Sequence, residues 1–277
     1  MAINIINITV IVPTKNEEKN ISRCLKALQN FSEVVVLDSC SSDKTQEIAE
    51  KLGAKVVEFS WNGEYPKKRN WYLDNYTPLN EWVLFVDADE ILTESFKEEL
   101  IENIKRDDIY GYWLKYENYF LGTKLRFGIQ QRKLALFRHR FGRYEKINDL
   151  NWTQLDMEVH EHPIIKGKTR ALKSRIIHND YKSIKHFYLK HINYAEWEAK
   201  RYLSLTKDRQ QKIKYLNFRQ SIKYKLITSY WFAPSYFCIN YFFLLGFLDG
   251  KAGFSYSVAK TWYFNLIYRL INEDSLC

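Results

Sequence analysis

The stretch WVLFVDADE, residues 82–90, changes abruptly from apolar to acidic. Its five leading apolar residues favour a strand buried on both faces, as in a parallel sheet. Side chains two positions apart in an extended segment share a face, so Asp87 and Asp89 can converge on one point. Two close carboxylates repel each other unless a cation or a proton relieves them. Spacing alone supports two interpretations: a Mg²⁺ or Mn²⁺ site that holds a diphosphate, or a helix start capped by Asp89 or Thr93.

Length and composition are typical of a globular protein with one or two domains. The chain has 277 residues, of which 46% are hydrophobic and 27% charged, and it has no repeat or low-complexity tract. The N-terminal sequence has neither a basic region nor a small-residue cleavage site, which predicts a first strand and not a signal peptide. The cysteines lack metal-ligand spacing, so we expect buried free thiols at Cys24 and Cys238 and a reducing cytoplasm.

Strand-like and helix-like segments alternate four times in the first hundred residues. Strands are predicted at 3–12, 33–37, 54–59 and 82–86. Helices are predicted from Glu17, after Asp43, at 67–75 and from Thr93 to about Lys105. Glu90 is expected to belong to this last helix. This alternation indicates an α/β fold with a parallel sheet, whose ligands bind beyond the carboxyl ends of the strands. Neither G-x-G-x-x-G nor G-x-x-x-x-G-K-[ST] is present, which argues against a dinucleotide-type Rossmann site and a P-loop.

After Asp108 the pattern changes to aromatic residues that alternate with charged ones. Strands are predicted at 110–120, 132–138, 157–159 and 174–178. From Lys182 onward the pattern is helical. We therefore predict an α/β domain over residues 1–180 and a helical region over residues 181–277.

Four sequence blocks, taken in order, resemble the family-2 glycosyltransferases. They are VIVPTKNEEKNI (10–21), VVVLDSCSSDKT (34–45), KKRNWYLDN (67–75) and WVLFVDADE. A fifth block, FLDGKAGF (247–254), resembles the tail of the lipopolysaccharide-core β-glucosyltransferase subgroup. The resemblance implies a GT-A fold, which is Rossmann-like, with a mainly parallel central sheet and flanking helices. It also implies transfer of a hexose, such as glucose, from a UDP-sugar with inversion.

The resemblance assigns residues to a nucleotide pocket. Its wall is formed by Pro13, Thr14 and Glu17. Asp38 resembles the acid that holds the base, and Lys68 and Arg69 resemble the basic pair beside the phosphates. Arg138 and Arg140 are further candidates for the diphosphate. A leaving nucleoside diphosphate gains negative charge, so cationic side chains stabilise the transition state more than the ground state. Taken singly, Asp38 also fits a turn and Arg69 a solvated helix face.

The metal ligands implied by the resemblance centre on the D-x-D pair. Asp89 resembles the metal ligand, and Asp87 resembles its partner, which contacts the ribose or the metal. His178 resembles a late histidine that serves as a third metal ligand in some GT-A enzymes. A lone histidine after a strand fits a structural residue equally well.

Inversion also requires a general base that takes the proton of the acceptor hydroxyl. The resemblance to the subgroup at V-H-E-H, residues 159–162, assigns this role to Glu161. Asp156 and Glu158 are the alternatives. Glu161 also fits an exposed loop acid paired with a neighbouring histidine.

The C-terminal third joins a basic segment to an apolar one. The stretch from Tyr181 to Lys225 contains twelve Lys and Arg residues and three acids, which accounts for the whole net charge of +9. Residues 226–248 then hold 23 residues without a formal charge. Pro234, Asn240 and the many aromatic residues favour monotopic or re-entrant association with an anionic membrane surface. A true span and a core or dimer helix are the alternatives. No nucleic-acid-binding module is recognised, so no nucleic-acid partner is expected.

These observations predict a metal-dependent glycosyltransferase at the cytoplasmic face of the inner membrane. Its cofactor would be Mg²⁺ or Mn²⁺, its donor a UDP-sugar and its acceptor a lipid-linked or lipopolysaccharide-type saccharide. One alternative is a sugar nucleotidyltransferase, but that class has a glycine-rich N-terminal loop, which PTKNEE is not. The other alternative is a non-catalytic membrane-bound scaffold, against which the intact Asp38, Asp87 and Asp89 argue.

Overall fold

The computed structural model describes residues 5–146, 156, 163–179, 183–207 and 218–274. They belong to two compact units. The first unit comprises residues 5–119, 130–146, 156 and 163–179, and the second comprises 120–129, 183–207 and 218–274. The chain thus divides close to the predicted boundary at residue 180. Residues 120–129, which lie inside the predicted first domain, belong to the second unit.

Strands and helices alternate through the early part of the chain, as predicted. The strands are β1 (Ile6–Thr14), β2 (Phe31–Asp38), β3 (Lys55–Glu58), β4 (Trp82–Phe85), β5 (Glu90–Ile91), β6 (Gly111–Phe120), β7 (Thr123–Lys124), β8 (Arg132–Arg138), β9 (Gly142–Tyr144), β10 (Pro163–Ile165) and β11 (Thr169–His178). The helices of the first unit are α1 (Ile21–Ala27), α2 (Thr45–Lys51), α3 (Lys68–Asn75) and α4 (Glu94–Asn103).

The central sheet of the first unit has the strand order β3-β2-β1-β4-β8-β6-β11-β5. Strands β1 to β4 are parallel to one another, and β11 is parallel to β6. Strand β8 runs antiparallel to β4 and β6, and β5 runs antiparallel to β11. A separate antiparallel pair is formed by β9 and β10. The predicted α/β class with a mostly parallel central sheet is confirmed.

The apolar runs form the centre of this sheet because they have neighbours on both sides. All four residues of β4 are buried, and so are all residues of β1 except Asn7. The same core includes Leu25 of α1 and Phe96 of α4. A strand buried on both faces is what the unbroken apolar run before Asp87 predicts.

Strand β1 continues through Pro13 to Thr14, beyond its predicted end. The N–H of Val86 donates to the carbonyl of Ile11 at 3.1 Å, which places the polar groups of Ile11 on the β4 side. Backbone groups alternate in direction along a strand, so the nitrogen of Pro13 faces the same side. The paired part of β4 ends at Phe85, opposite Ile11, so the missing N–H of proline costs the ladder no hydrogen bond.

The acidic stretch does not lead straight into α4. Glu90, expected in that helix, lies instead in β5 and pairs with His178 of β11. Helix α4 begins four residues later, where Oγ1 of Thr93 accepts the N–H of Phe96 at 3.3 Å. Of the two caps considered, Thr93 is therefore confirmed and Asp89 is wrong.

The second unit is helical, as predicted. Its helices are α5 (Ile184–Lys207), α6 (Phe218–Leu226), α7 (Phe232–Cys238), a π-helix (Ile239–Phe243), a 3-10 helix (Gly246–Asp249) and α8 (Gly250–Asp274). Residues of α5, α6 and α8 form its main core, with Ala199, Tyr224 and Ile267 buried. The carboxylate of Glu198 is buried there and accepts hydrogen bonds from Lys223 and Tyr224.

No single helix in the described part of the chain is long and apolar enough to cross a bilayer. Two helical segments, Phe232–Phe243 and Gly246–Glu273, together have the length and composition of a membrane span, but the chain is bent by 74° between them.

The two thiols that were expected to be buried differ from each other in exposure. Cys24 is buried in the core of the first unit, as predicted, whereas Cys238 at the end of α7 is exposed.

Replacing the cap Thr93 by alanine should destabilise the protein by about 1 kcal/mol, because the N–H of Phe96 loses its acceptor. Urea unfolding followed by circular dichroism measures the change. Glu98→Ala, at an exposed position of the same helix, is the matched control and should change stability by less than about 0.5 kcal/mol. Equal effects of the two substitutions would contradict the assigned cap.

Candidate active site

The loops after β1 and β2 are joined to each other by hydrogen bonds. The N–H of Asn16 donates to Oγ of Ser41 at 2.8 Å, and Oδ1 of Asn16 accepts the N–H of Ser42 at 2.9 Å. The N–H of Glu17 donates to Oγ1 of Thr45 at 2.7 Å. Residues before Ile21 are held in this loop, which explains why α1 begins later than predicted. The two loops form one continuous wall at the carboxyl ends of their strands.

Asp38 holds this wall together from the end of β2. Its carboxylate is fully buried and accepts hydrogen bonds from Oγ1 of Thr14, from the N–H and Oγ of Ser41 and from Nε2 of Gln46, all at 2.6–2.8 Å. These four bonds fill the lone-pair positions of a carboxylate. The structure therefore gives Asp38 a role in ordering the loops. Its contact with a nucleotide base stays a prediction.

Lys68, at the start of α3, lies in a buried polar cluster next to this wall. Its Nζ donates to the carbonyl of Thr14 at 3.0 Å and lies 3.4 Å from Oδ2 of Asp156. Oγ of Ser39 also donates to that carboxylate oxygen. Burial opposes ionisation of Asp156, but Lys68 and Ser39 hold its pKa below the usual range. A carboxylate with a lowered pKa is a weak base, which disfavours Asp156 as the alternative general base.

Asp87 lies between two cations at the end of β4. Nζ of Lys133 donates to its Oδ2 at 2.6 Å, and a guanidinium nitrogen of Arg69 donates to its Oδ1 at 3.3 Å. Burial opposes ionisation, but Lys133 and Arg69 hold the pKa of Asp87 below its usual value. Its side chain remains 37% exposed. Asp87 is therefore an ionised, fixed carboxylate that a ligand can reach.

Asp89 meets His178 two residues further along. Oδ2 of Asp89 lies 3.3 Å from Nε2 of His178, whose Nδ1 is 3.1 Å from Oδ1 of Asn118. The N–H of Asn179 donates to the carbonyl of Asp89 at 3.0 Å, which ties the acidic loop to the end of β11. The structure thus brings the predicted D-x-D acid and the predicted late histidine together.

Glu90 is the third acid of the stretch and is almost completely buried. Its Oε2 accepts the N–H of Asp87 at 3.0 Å, and its Oε1 lies 3.6 Å from Nζ of Lys133. Burial raises the pKa of Glu90 to about 7, although the Lys133 ammonium opposes this shift. Glu90 supports the acidic loop from beneath and does not point toward solvent.

Of the three predicted metal ligands, Asp87, Asp89 and His178, the structure joins Asp89 to His178, and this pair would fit a divalent metal ion. Among residues 5–146, 156, 163–179, 183–207 and 218–274, no three His, Cys, Asp or Glu side chains form a cluster that could hold a metal. An Asp89–His178 pair would thus leave positions for substrate phosphates and water. Mg²⁺ typically binds through one or two carboxylates and substrate phosphates, so the pair fits a metal shared with a diphosphate.

The structure does not bring every predicted site residue to the acidic loop. Arg138 is at the opposite end of β4 from the acids, where it pairs with Glu81 at 2.5 Å, so its predicted contact with the diphosphate is wrong. Arg140 follows it in the chain and is exposed. Pro13 is in β1, one residue before Thr14. Glu161 and the second alternative base, Glu158, lie outside the described residues.

Sequence reasoning missed Lys133, Ser39 and the role of Asp156 beside Lys68. Lys133 is at the start of β8, and only the antiparallel direction of β8 brings that start beside the end of β4. The alternation of charged and aromatic residues predicts β8 but not its direction. The signal for Ser39 was its position directly after Asp38, at the end of a buried strand.

Comparison with known proteins identifies similar chains. The family model described as glycosyl transferase family 2 matches residues 9–166. An uncharacterized glycosyltransferase of Rickettsia conorii is 31% identical over 251 residues, which cover 87% of this chain and 84% of that protein. An uncharacterized glycosyltransferase of Rickettsia typhi is 29% identical over 250 residues, which cover 88% of this chain and 80% of that protein. These names favour a glycosyltransferase over the nucleotidyltransferase and scaffold alternatives.

A similar solved structure supports the fold. A mannosyltransferase of Pyrobaculum calidifontis in complex with GDP-Man and Mn²⁺ has a TM-score of 0.54 to this chain at 14% identity. The alignment covers 97% of this chain and 87% of the other. At this identity the similarity concerns the fold alone, and it agrees with the predicted GT-A-like architecture.

Replacing Lys133 by methionine should destabilise the protein by about 1–3 kcal/mol, because Glu90 then lies buried without a cation and Asp87 keeps only Arg69. Urea unfolding at neutral pH measures the loss. Arg132→Met removes the same charge from the neighbouring exposed position and should change stability by less than about 0.5 kcal/mol. A loss no larger than that of Arg132→Met would refute the role given to Lys133.

Proposed function

The chain belongs to glycosyl transferase family 2, and we propose that it moves a hexose, such as glucose, from a UDP-sugar to a hydroxyl of a lipid-linked or lipopolysaccharide-type saccharide. The observation that carries the proposal is the meeting of Asp89 and His178 beside the cation-held Asp87. These groups follow buried strands, at the edge where α/β sheets bind ligands. The sugar and the acceptor class come from the resemblance of the sequence blocks.

Each of these side chains would have its own role in the donor site. Asp89 and His178 would hold the divalent metal, Mg²⁺ or Mn²⁺, which when bound supplies positive charge to the departing diphosphate. Asp87 is ionised and fixed by Lys133 and Arg69, so its exposed oxygens can accept hydrogen bonds from ribose hydroxyls. Because these groups are already in place, little reorganisation is needed when the donor binds.

Lys68 and Arg69 would act mainly from beneath the pocket. Both side chains are buried, and both pair with carboxylates of the protein, Asp156 and Asp87 respectively. Their charges order the wall and the acidic loop on which the nucleotide would rest. The acceptor side would be completed by Glu161, proposed from the sequence as the base that takes the proton of the attacking hydroxyl.

Asp89→Asn should abolish transfer and weaken the Mn²⁺-dependent binding of UDP. Calorimetric titration of UDP-glucose with and without Mn²⁺ measures binding separately from turnover, and GDP-mannose serves as the competing donor. We expect the wild-type protein to bind UDP-glucose more tightly in Mn²⁺. Asp107→Asn, a fully exposed acid, is the control and should leave binding unchanged. Normal turnover of Asp89→Asn would exclude the proposed metal site.

Glu161→Gln should keep the affinity for the UDP-sugar yet lower the transfer rate by roughly 10²–10⁴-fold, because an amide cannot accept the acceptor's proton. Steady-state transfer and donor titration on the same preparation separate the two effects. Glu158→Gln is the matched control from the same segment. A rate close to wild type for Glu161→Gln, with a large loss for Glu158→Gln, would reassign the base.

A further inference from the structure

The second unit has several exposed large apolar side chains, and a run of them lies in residues 242–248. Residues 242–248, which run from the end of the π-helix into the 3-10 helix, are called the apolar tip here. Phe243 is 78% exposed, Phe242 55% and Leu248 54%. The exposed side chains of Phe127 and Ile129 lie in a loop joined to it, since the N–H of Gly128 donates to the carbonyl of Leu244 at 2.9 Å. Exposed apolar groups clustered in this way mark an interaction surface.

The backbone of the apolar tip adopts a conformation that glycine or asparagine would adopt at lower cost. Leu245 has φ +60°, in the left-handed region, and its side chain is 43% exposed. A residue other than glycine in this conformation costs about 1 kcal/mol or more in backbone free energy, and an exposed leucine side chain does not recover that cost in water. Transfer of the leucine side chain from water into an apolar medium would offset it.

Polar groups close to the apolar tip are satisfied within the unit. Asn240 is buried, donates to Oγ of Ser257 at 2.8 Å and accepts the N–H of Ile129 at 2.8 Å. The carboxylate of Asp249 accepts the N–H groups of Arg126 and Phe127 at 3.0–3.1 Å. Internal satisfaction of polar groups is what an apolar medium demands of a polypeptide.

Exposed positive charges lie close to the apolar tip. Residues 226–248 contain no formal charge. The side chains of Lys251, just after the apolar tip, and of Arg126, next to Phe127 in its neighbouring loop, are exposed. The nearby Asp249 carboxylate is engaged with backbone N–H groups. An apolar surface with basic residues at its margin complements an anionic lipid surface.

We propose that the apolar tip inserts into the boundary between headgroups and acyl chains of an anionic membrane, without crossing it. Helix α7 and the π-helix that continues it cover Phe232–Phe243, which is shorter than the about 20 residues that a span requires, and the chain bends by 74° before the next helical segment. Aromatic side chains such as Phe242 and Phe243 suit insertion to a depth of roughly 5–10 Å. The inference deepens the proposed function and rests on it in one respect, since a lipid-linked acceptor is presented at such a surface.

Flotation of the full-length protein with vesicles tests the proposal. The wild-type chain should float with vesicles of phosphatidylglycerol and phosphatidylcholine, and less with phosphatidylcholine alone. Phe243→Ser combined with Leu248→Ser should lower the partition coefficient about tenfold or more, because two apolar side chains no longer gain from burial. The control, Leu79→Ser combined with Ile164→Ser, changes two exposed apolar residues of the first unit and should float as the wild type does.

Two outcomes would overturn the proposal. One is flotation of the tip variant equal to that of the wild type. The other is a wild-type chain that does not float with vesicles and sediments as a dimer, while the tip variant sediments as a monomer. The apolar tip would then bind a second copy of the chain. Titration of UDP-glucose with Mn²⁺ separates this proposal from the donor site. Tip-dependent flotation without donor binding would reject the proposed donor and leave the membrane contact standing.

Discussion

Three carboxylates within four residues, at the end of a strand buried on both faces, repel one another in the folded first unit unless protons or cations relieve them. The structure relieves each one differently. Asp87 lies between the ammonium of Lys133 and the guanidinium of Arg69, and Asp89 faces His178. Glu90 has a pKa raised to about 7 by burial, so it carries part of a proton at neutral pH. The acidic loop is therefore held by Lys133, Arg69 and His178, and the carboxylate of Asp87 remains partly exposed.

This requirement explains the form of the sheet around the loop. A continued series of parallel strands would place only carboxyl ends at this edge. The antiparallel β8 instead delivers its first residues, and with them Lys133, to the end of β4. The two-residue β5 then turns the acidic loop back against β11, where Glu90 pairs with His178. The antiparallel strands β8 and β5 are thus the strands that place Lys133 and His178 around the acidic loop.

The sequence predicted what depends on local pattern. The parallel half of the sheet follows from apolar runs and helical spacing, and Thr93 was recognised as a possible cap from its position before an amphipathic segment. The antiparallel half was less predictable, because periodicity shows that a strand exists and not its direction or neighbours. For this reason Lys133 was missed, Arg138 was placed at the wrong end of β4, and Glu90 was assigned to α4. His178 was named by resemblance, and spacing alone could not have joined it to Asp89.

The end of β11 also ties together regions that are far apart in the chain. The carbonyl of Asn179 accepts a hydrogen bond from Arg23 at 2.8 Å, across 156 residues, while its N–H donates to Asp89. Contacts between residues so far apart in the chain carry a loop-closure entropy cost that must be met before they contribute to stability. A nascent chain that has not yet produced β11 can pair its first four strands and bury their apolar residues, but it cannot place His178 beside Asp89. The proposed donor site is therefore complete only when this late strand has docked against the acidic loop.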